Sequence, residues 1–244
     1  MSWPAGYGRI VLDETDSTMA EAARRAGTLA GPEWVMARRQ TAGRGRRGRA
    51  WANPEGNFAA TLVLQPREAP GVVALRSFVA ALALFDAMVA VTGRADPFAL
   101  KWPNDVLLNG GKVAGILLET HAGGALAIGI GVNLVAAPGA AEVEAGAVRP
   151  VSLMAETGAA VGPEDFLDQL AQAYAVREAS FVTYGFAPIR EAWLSRAARL
   201  GETVTARTGT SETVGRFETV DPSGNLVLMT AKGRVGIAAA DVFF

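Results

Sequence analysis

Hydrophobic and polar positions along the chain follow two periods, and the period changes repeatedly between short segments. Alternation with a period of two predicts strands, whereas apolar residues that recur every three to four positions predict amphipathic helices. Glycine, proline and asparagine stand between the segments, as they do at turns. The pattern predicts a mixture of both elements, with strands over residues 9–12, 34–37, 58–64, 100–103, 113–118 and 125–132.

Four segments have the helical period. The first begins where Asp16 or Ser17 can cap a helix, and it ends near Gly27. The others are predicted over residues 72–91, 163–184 and 188–198. Strands that alternate with helices in this way predict an α/β or α+β fold built around a sheet.

Two connections have recognisable signatures. The sequence Asn109-Gly110-Gly111 lies between apolar runs and predicts a hairpin, because Asn and Gly adopt the positive φ angles of tight turns. Residues 138–150 are rich in Ala, Gly and Pro and predict a loop.

The composition changes at Gly201. From Glu202 onward the chain consists of short Thr- and Val-rich runs, with a Pro-Ser-Gly-Asn turn at residues 222–225 and no helical period. We therefore predict a main domain over residues 1–200 and an all-β module over residues 201–244. A module of about 40 residues buries little core by itself, so we expect it to dock on the main domain.

Composition and charge restrict the class of protein. Half of the 244 residues are hydrophobic, and 23 basic against 24 acidic residues give a net charge of −1, which points to neither nucleic acid nor membrane. The chain has no cysteine, which excludes disulfides, thiolate metal sites and thiol nucleophiles. Residues 72–91 are the longest apolar stretch, but Arg76 and Asp86 interrupt it and favour a buried core helix over a membrane span. The N-terminus lacks the pattern of a signal peptide, so the expected location is the cytoplasm.

Positive charge is concentrated in one Gly-rich segment. Six arginines fall between Arg38 and Arg49, and removing them leaves −7 on the rest of the chain. Arginine binds phosphate and carboxylate oxygens bidentately, and glycine lets backbone N–H groups approach a ligand. Taken alone, the segment fits three interpretations about equally well: a solvated basic loop, an arm that binds nucleic acid, or a site for a small molecule that carries phosphate.

A second cluster, Lys101-Trp102-Pro103-Asn104-Asp105, combines a cation, an indole, an amide and a carboxylate around one proline. Lys112 begins an otherwise apolar strand, where a lysine can project into a cleft toward phosphate or carboxylate. By position alone, a solvent-exposed lysine at a hairpin edge is favoured about two to one, since lysine is seldom buried.

These segments together resemble the biotin–protein ligase family. They occur in the order of the family, over roughly residues 10–135, and the remainder matches in layout only. The arginine segment and the Lys-Trp-Pro-Asn-Asp segment are highly specific as a pair. The matching motifs are Asp16-Ser17-Thr18, residues 40–49, residues 101–105, residues 112–119 and Gly129-Ile130-Gly131-Val132-Asn133.

The resemblance implies a mixed-sheet catalytic domain with a small C-terminal SH3-like β barrel. It also implies an ATP-dependent enzyme that forms biotinyl-5′-AMP and then transfers biotin to a lysine of a biotin carboxyl carrier protein. Mg²⁺ is expected to neutralise the pyrophosphate leaving group. Neither nucleic acid nor a membrane is an expected partner, and a homodimer is compatible with the sequence.

The resemblance further implies roles for individual residues. Those expected to bind biotin are Ser17, Thr18, Gln40, Arg44, Gly45, Arg46, Lys112 and Gly115. Those expected to bind ATP are Arg44, Arg46, Trp51, Asn104, Lys112 and Asn133. Lys112 and Arg46 are expected to act in catalysis by offsetting the repulsion between carboxylate and triphosphate, and Asp105 by orienting the metal or a cationic partner. No metal ligands are assigned.

Two positions depart from the family pattern. Met19 stands where Asn usually follows Ser-Thr, and Ala239-Ala240-Asp241-Val242 replaces the more usual Ser-Gly-Glu/Asp-Val. The Asp-Ser-Thr motif lies close to the N-terminus, so the sequence predicts no winged helix and no operator binding. His121 is expected to be a strand-end residue, and Trp3, Trp34 and Trp193 are expected to serve packing.

The segment from Gly43 to Arg49 is predicted to be mobile without ligand and ordered with it. Its glycines and uncompensated charges give the free loop little to pack against. Arg47 and Arg49 are expected to contact the carrier protein or only solvent.

Two rival functions are weighed. A lipoate– or octanoate–protein ligase shares the fold and a comparable lysine, but the Arg-Gly-Arg-Arg-Gly loop argues against it. A nucleic-acid-binding module would show salt-dependent binding and would have no use for residues 101–105.

Overall fold

The computed structural model describes residues 2–139, 143 and 147–244 of the chain. The described strands form one sheet of seven strands and one of five. The helices and strands, in chain order, are β1 Gly8–Thr15, α1 Thr18–Arg25, β2 Glu33–Gln40, β3 Phe58–Leu64, α2 Pro70–Ala74, α3 Arg76–Thr92, β4 Phe98–Lys101, β5 Asp105–Leu108, β6 Gly111–Thr120, β7 Leu126–Val132, α4 Leu153–Thr157, α5 Pro163–Tyr184, α6 Phe186–Leu194, β8 Thr203–Arg207, β9 Glu212–Val220, β10 Leu226–Thr230, β11 Gly233–Ile237 and β12 Asp241–Phe243.

The larger sheet is mixed, with the strand order β1-β2-β3-β7-β6-β5-β4. Strand β1 runs parallel to β2, and the other neighbouring pairs are antiparallel. The mixed sheet expected from the sequence is therefore confirmed. Asn109 and Gly110 form the predicted hairpin turn between β5 and β6, with φ angles of 49° and 78° that suit these two residue types.

The two faces of this sheet carry side chains of different size, as β7 shows. Successive residues of a strand point to opposite faces. On β7, Ile128 and Ile130 lie in the main hydrophobic core. Ala127 belongs instead to a small cluster with residues of α1. Gly129 and Gly131 share the face of Ala127, so the sheet presents a floor of small residues on the side of α1.

Helices α2 and α3 together span Pro70–Thr92, a stretch long and apolar enough to cross a bilayer. In the fold, 72% of its most apolar window is buried, and α3 packs against the sheet and α5. Both charges that interrupt the stretch pair with α5, Arg76 with Glu178 and Asp86 with Arg177. The helix is thus the core helix that these two charges predict.

Some predicted elements differ from the structure in their bounds, and two elements were not predicted. The strand predicted over residues 100–103 lies at Phe98–Lys101, and β5 and α4 have no counterpart in the prediction. The helix predicted over residues 188–198 ends at Leu194, because the backbones of Arg196 and Ala198 bond with Leu100 of β4. Residues 140–142 and 144–146 of the predicted loop lie outside the described residues.

The smaller sheet is antiparallel, with the order β11-β10-β9-β8-β12. It docks on the main domain through the predicted turn at residues 222–225, where Trp102 Nε1 donates to the carbonyl of Gly224 at 3.1 Å. Gly224 has a φ of 84°, and a Cβ there would lie 2.9 Å from Leu75 Cδ2. Glycine is therefore required by both the backbone angle and the close approach to the helical layer.

Replacing Arg76 by Ala is expected to lower the free energy of unfolding by about 3 kcal/mol, because it removes a buried cation and leaves Glu178, whose side chain is only 13% exposed, without its counter-ion. Arg76 is 2% exposed, and its Nη2 lies 2.8 Å from both Glu68 and Glu178. Urea unfolding of the full chain measures the loss. Arg177→Ala is the matched control, since its pair with Asp86 joins the same two helices but is about one-third exposed on each side. That control is expected to cost less than about 1 kcal/mol, and equal losses would contradict the prediction.

Candidate active site

A line of buried hydroxyl groups and one half-buried amide, that of Gln40, lies where α1 meets the sheet. Ser17 caps α1, and its Oγ accepts from the Ala20 N–H at 3.0 Å. The Thr18 N–H and Oγ1 donate to Gln40 Oε1 at 2.9 and 3.2 Å, and Thr61 Oγ1 donates to Thr18 Oγ1 at 2.9 Å. Three residues expected to bind biotin thus come together here. Thr61 was not predicted, although a lone hydroxyl in the apolar strand β3 is the signal that could have indicated it.

The floor of small residues continues from this polar line across the sheet. Thr61 is in register with Gly129 on β7, and Gly131 is in register with Gly115 on β6. Residues in register on neighbouring strands share a face. A Cβ at Gly129 would lie 2.7 Å from Sδ of Met19, so the thioether that replaces the family's usual Asn packs directly on the floor.

Trp51 covers the other end of the floor. A Cβ at Gly131 would lie 2.3 to 2.6 Å from three atoms of its indole, and one at Gly115 would lie 3.3 Å from Cζ3. Glycine at residue 131 is therefore necessary for the indole to lie flat against the sheet. Lys112 Nζ lies 5.9 Å from the centroid of the same ring, which places a cation, an aromatic face and bare backbone side by side.

Lys112 and Asp105 form an ion pair beside this aromatic ring. Lys112 Nζ lies 2.7 Å from Asp105 Oδ1, and Lys101 Nζ lies 3.8 Å from Oδ2 of the same carboxylate. The sheet brings Lys101 to Asp105 because the two are in register. Asp105 is also in register with Gly115, and the Lys112 side chain extends over this glycine, with Nζ 3.4 Å from where its Cβ would stand. Lys112 is half-buried and paired, which differs from the freely solvated lysine that position alone favours. Burial lowers the pKa of Lys101, against the attraction of Asp105.

The arginine loop, residues 43–51, folds back on itself. The Gly45 N–H donates to the Arg49 carbonyl at 2.8 Å, and the Trp51 N–H donates to Gly43 at 2.9 Å. Arg47 and Gly48 turn the chain with φ angles of 56° and 72°. The backbone of the loop is therefore a closed turn from which the arginine side chains extend.

These arginines have intramolecular partners. Arg46 Nη1 donates to Asn104 Oδ1 at 3.3 Å, and Arg44 Nη2 lies 3.1 Å from Glu119. The other loop arginines pair with one carboxylate, that of Asp241, through contacts from Arg47 at 2.6 Å and Arg49 at 3.4 Å, with Arg46 at 3.6 Å.

The expectation that the loop charges are uncompensated is therefore wrong. Arg47 and Arg49 do not face solvent only, and their contact with the carrier protein stays a prediction. Burial lowers the pKa of Arg46, the loop arginine that lies deepest. The sequence also groups Arg38 and Arg39 with the arginines of this Gly-rich segment. They belong to β2 instead, where Arg38 pairs with Asp13 and Glu164 and Arg39 with Glu14. The arginines available to an anionic ligand are therefore those of the loop.

The two asparagines expected near the nucleotide differ in setting. Asn104 donates from Nδ2 to the Ile116 carbonyl while its Oδ1 accepts from Arg46, which fixes the loop against β6. Asn133 is buried beyond the end of β7 and donates to the Val151 carbonyl at 3.1 Å. Its buried Oδ1 has no hydrogen-bond partner among the described residues. His121 directly follows β6, which confirms it as a strand-end residue.

A cleft of about 320 Å³ opens next to Arg46 and Asn104. Its walls come from β6, the α2–α3 segment and the connection between β11 and β12, and they include Ser77, Pro103, Leu118 and Ala239. The cleft therefore lies between the main sheet and the C-terminal sheet, next to the charged cluster.

The two carboxylates nearest the cluster do not form a metal site. Asp105 is shared by two lysines and Asp241 by the loop arginines. Among the residues that the structure describes, no three His, Asp or Glu side chains gather as metal ligands. The arrangement instead offers a surplus of cations beside an aromatic ring and a glycine floor, which suits a ligand that combines anionic groups with a flat ring system.

Known proteins with similar sequences and structures agree with this geometry. The profile of the Biotin/lipoate A/B protein ligase family matches residues 8–134, and that of the Biotin protein ligase C terminal domain matches residues 200–244. The biotin--[acetyl-CoA-carboxylase] ligase of Paracoccus denitrificans is 60% identical over 96% of this chain and 99% of its own length. The bifunctional ligase/repressor BirA of Bacillus subtilis is 32% identical over 95% of this chain and 71% of its own. A structure of biotin protein ligase from Aquifex aeolicus in complex with biotin and ATP superposes with a TM-score of 0.84 at 28% identity, covering 96% of this chain and 97% of that one.

Proposed function

The chain belongs to the Biotin/lipoate A/B protein ligase family, and we propose that it is an ATP-dependent biotin–protein ligase. It forms biotinyl-5′-AMP from biotin and ATP and then transfers biotin to a lysine of a carrier protein. The observation that carries the proposal is the position of Lys112 and Arg46. Lys112 lies beside the glycine floor that leads to the polar line of Thr18, Gln40 and Thr61, and Arg46 reaches Asn104, which bonds to the neighbouring strand β6.

Biotin is held at both ends of this glycine floor. Ser17, Thr18 and Gln40 bind the ureido head group, because hydroxyl and amide groups match its alternating donors and acceptors. The valeryl chain crosses the floor near Gly115, which has no side chain of its own and lies under Trp51 and Lys112. The carboxylate then reaches Lys112, with Arg44, Gly45 and Arg46 of the loop above it.

The first step joins two anions. A carboxylate oxygen of biotin attacks the α-phosphorus of ATP, and the bond to the pyrophosphate oxygen breaks. Lys112 and Arg46 offset the repulsion between carboxylate and triphosphate and stabilise the charge that develops on the phosphoryl oxygens. Asp105 holds Lys112 in place at 2.7 Å. On the nucleotide side, Trp51 packs near the adenine, and Arg44, Asn104 and Asn133 contribute polar contacts.

Mg²⁺ enters this scheme as the counter-ion of the nucleotide. When bound with the nucleotide, it would supply positive charge that neutralises the leaving pyrophosphate. Because Asp105 and Asp241 are already paired with cations, we assign no protein ligand to the metal and no step that depends on one.

In the second step, the amine of the acceptor lysine attacks the carbonyl carbon of the mixed anhydride, and AMP leaves. The closed arginine loop keeps water from the anhydride between the two steps. We propose the biotin carrier domain of acetyl-CoA carboxylase as the acceptor, in line with the Paracoccus relative. We further propose a cytoplasmic location and a division into a catalytic domain at residues 1–200 and a barrel at residues 201–244.

Biotin is expected to support exchange of labelled pyrophosphate into ATP, because the cations converge on a carboxylate and a triphosphate. Purified carrier domain is then expected to become labelled at one lysine in a biotin-dependent reaction. The same assay with lipoate or octanoate serves as the comparison. Exchange with lipoate and none with biotin would move the assignment to the lipoate ligases, and binding of RNA or DNA that falls steeply with salt, without exchange, would favour the nucleic-acid alternative.

A further inference from the structure

Asp241 is the residue on which the arginine loop converges, and its carboxylate comes from the C-terminal sheet. We propose that Asp241 is a positioning residue through which this sheet holds the arginine loop over the active site. The proposal rests on the proposed function for its catalytic consequence, but the structural contact can be tested without it. Arg47 and Arg49 make the shorter contacts, at 2.6 and 3.4 Å.

The position of this carboxylate is set by the C-terminal sheet and not by the loop. Asp241 begins β12 and is in register with Arg207 of β8. Its neighbours Ala240 and Val242 are buried at 0% and 6% exposure, so the backbone on both sides is fixed by packing. The Asp241 side chain is itself only 18% exposed. A partly buried carboxylate on a fixed strand is a rigid anchor for guanidinium groups.

The three loop arginines at this contact are held at different distances. Among the described residues, Arg46, Arg47 and Arg49 all reach the carboxylate of Asp241. The contact of Arg46 is the longest of the three, at 3.6 Å, and this arginine also reaches Asn104. Arg46 can therefore engage a ligand anion while Arg47 and Arg49 stay on Asp241, and the loop is held without being withdrawn from the substrate.

Holding the loop matters most while the mixed anhydride is in the site. If the loop opens, water can attack the biotinyl carbonyl carbon, and AMP leaves with biotin as the wasted product. A tethered loop opens less often, because each opening must break several charge-assisted contacts. Asp241 is thus expected to control the escape and hydrolysis of the intermediate more than the rate at which it forms.

Amide hydrogen exchange on the ligand-free full chain tests the anchor directly. In Asp241→Asn, the amides of residues 44–51 are expected to exchange on the order of 10-fold faster than in the wild type, and Asp241→Glu is expected to restore most of the protection. Glu218→Gln is the matched control, because Glu218 pairs with Arg234 within the same sheet at 2.6 Å and does not touch the loop. It is expected to leave exchange in the loop unchanged.

With biotin and ATP but no carrier, Asp241→Asn is expected to release AMP on the order of 10-fold faster per enzyme than the wild type. Unchanged loop exchange, or a lower KM for ATP because Asp241 merely competes with phosphate, would overturn the proposal. If Asp241→Asn unfolds, Arg47→Gln removes the shortest contact from the loop side and is judged by the same two measurements. Failure of the proposed function is separate, since the wild type would then release no AMP at all.

Discussion

Lys112→Ala is expected to slow the formation of biotinyl-5′-AMP by on the order of 10² to 10³, the usual cost of losing one electrostatic contact to a developing charge. Lys112 Nζ is held by Asp105 at 2.7 Å beside the Trp51 ring, where it meets the carboxylate and the α-phosphate of the proposed reaction. Binding of biotin is expected to weaken far less, because Ser17, Thr18 and Gln40 still hold the head group.

The measurement separates the two steps of the reaction. Single-turnover formation of the adenylate reports the first step, and preformed biotinyl-5′-AMP supplied to the variant reports the transfer alone. Transfer from the supplied adenylate is expected to recover substantially, since the anhydride is already made. Lys232→Ala is the matched control, because Lys232 is an exposed lysine in the turn between β10 and β11, and its loss is expected to change neither step. Unimpaired adenylate formation in folded Lys112→Ala would remove the assigned role.

Local patterns in the sequence predict much of this fold. Period and turn residues locate the cap at Asp16 or Ser17, the hairpin at Asn109 and the change to β structure after Gly201, because each depends on neighbours in the chain. The sequence pattern misplaces the end of a helix or strand where contacts with a distant segment set that end. Helix α6 stops at Leu194 because the following residues bond to β4, and β5 is too short, at four residues, to show a period of its own.

The candidate site likewise has parts that the local sequence predicts and parts that depend on distant segments. The Lys-Trp-Pro-Asn-Asp segment is contiguous, so its residues can be singled out from the sequence. The partners of the arginines cannot, because a count of charges does not reveal which carboxylates face them. Asp241 lies 194 residues after Arg47, and only the docking of the C-terminal sheet brings the two together. Thr61 and Gly131 show the same limit, since their roles depend on which face of the sheet the floor occupies.

Gly131→Ala is expected to raise the KM for ATP by on the order of 10²-fold, because displacement of a positioning group by about 1 Å can cost that much. The new Cβ would lie 2.3 to 2.6 Å from Trp51 Cε2, Nε1 and Cζ2, which is too close for non-bonded heavy atoms. The indole must move off the sheet, away from the place where the proposed site stacks the adenine. Overpacking is also expected to lower the free energy of unfolding by about 1–3 kcal/mol, which urea titration separates from the kinetic effect.

A strand glycine without such a neighbour provides the control. A Cβ at Gly236 in β11 would meet no atom within 4 Å, so Gly236→Ala is expected to leave the KM for ATP unchanged. The second check is a double-mutant cycle with Trp51→Phe, whose smaller ring leaves room for the added methyl group. Trp51→Phe is expected to weaken ATP binding in the wild type and to cost little or nothing in Gly131→Ala, because residues in contact are not additive. Strictly additive effects would mean that Gly131 affects ATP binding by some route other than the Trp51 indole. That result would contradict the prediction that Gly131 positions this ring for ATP.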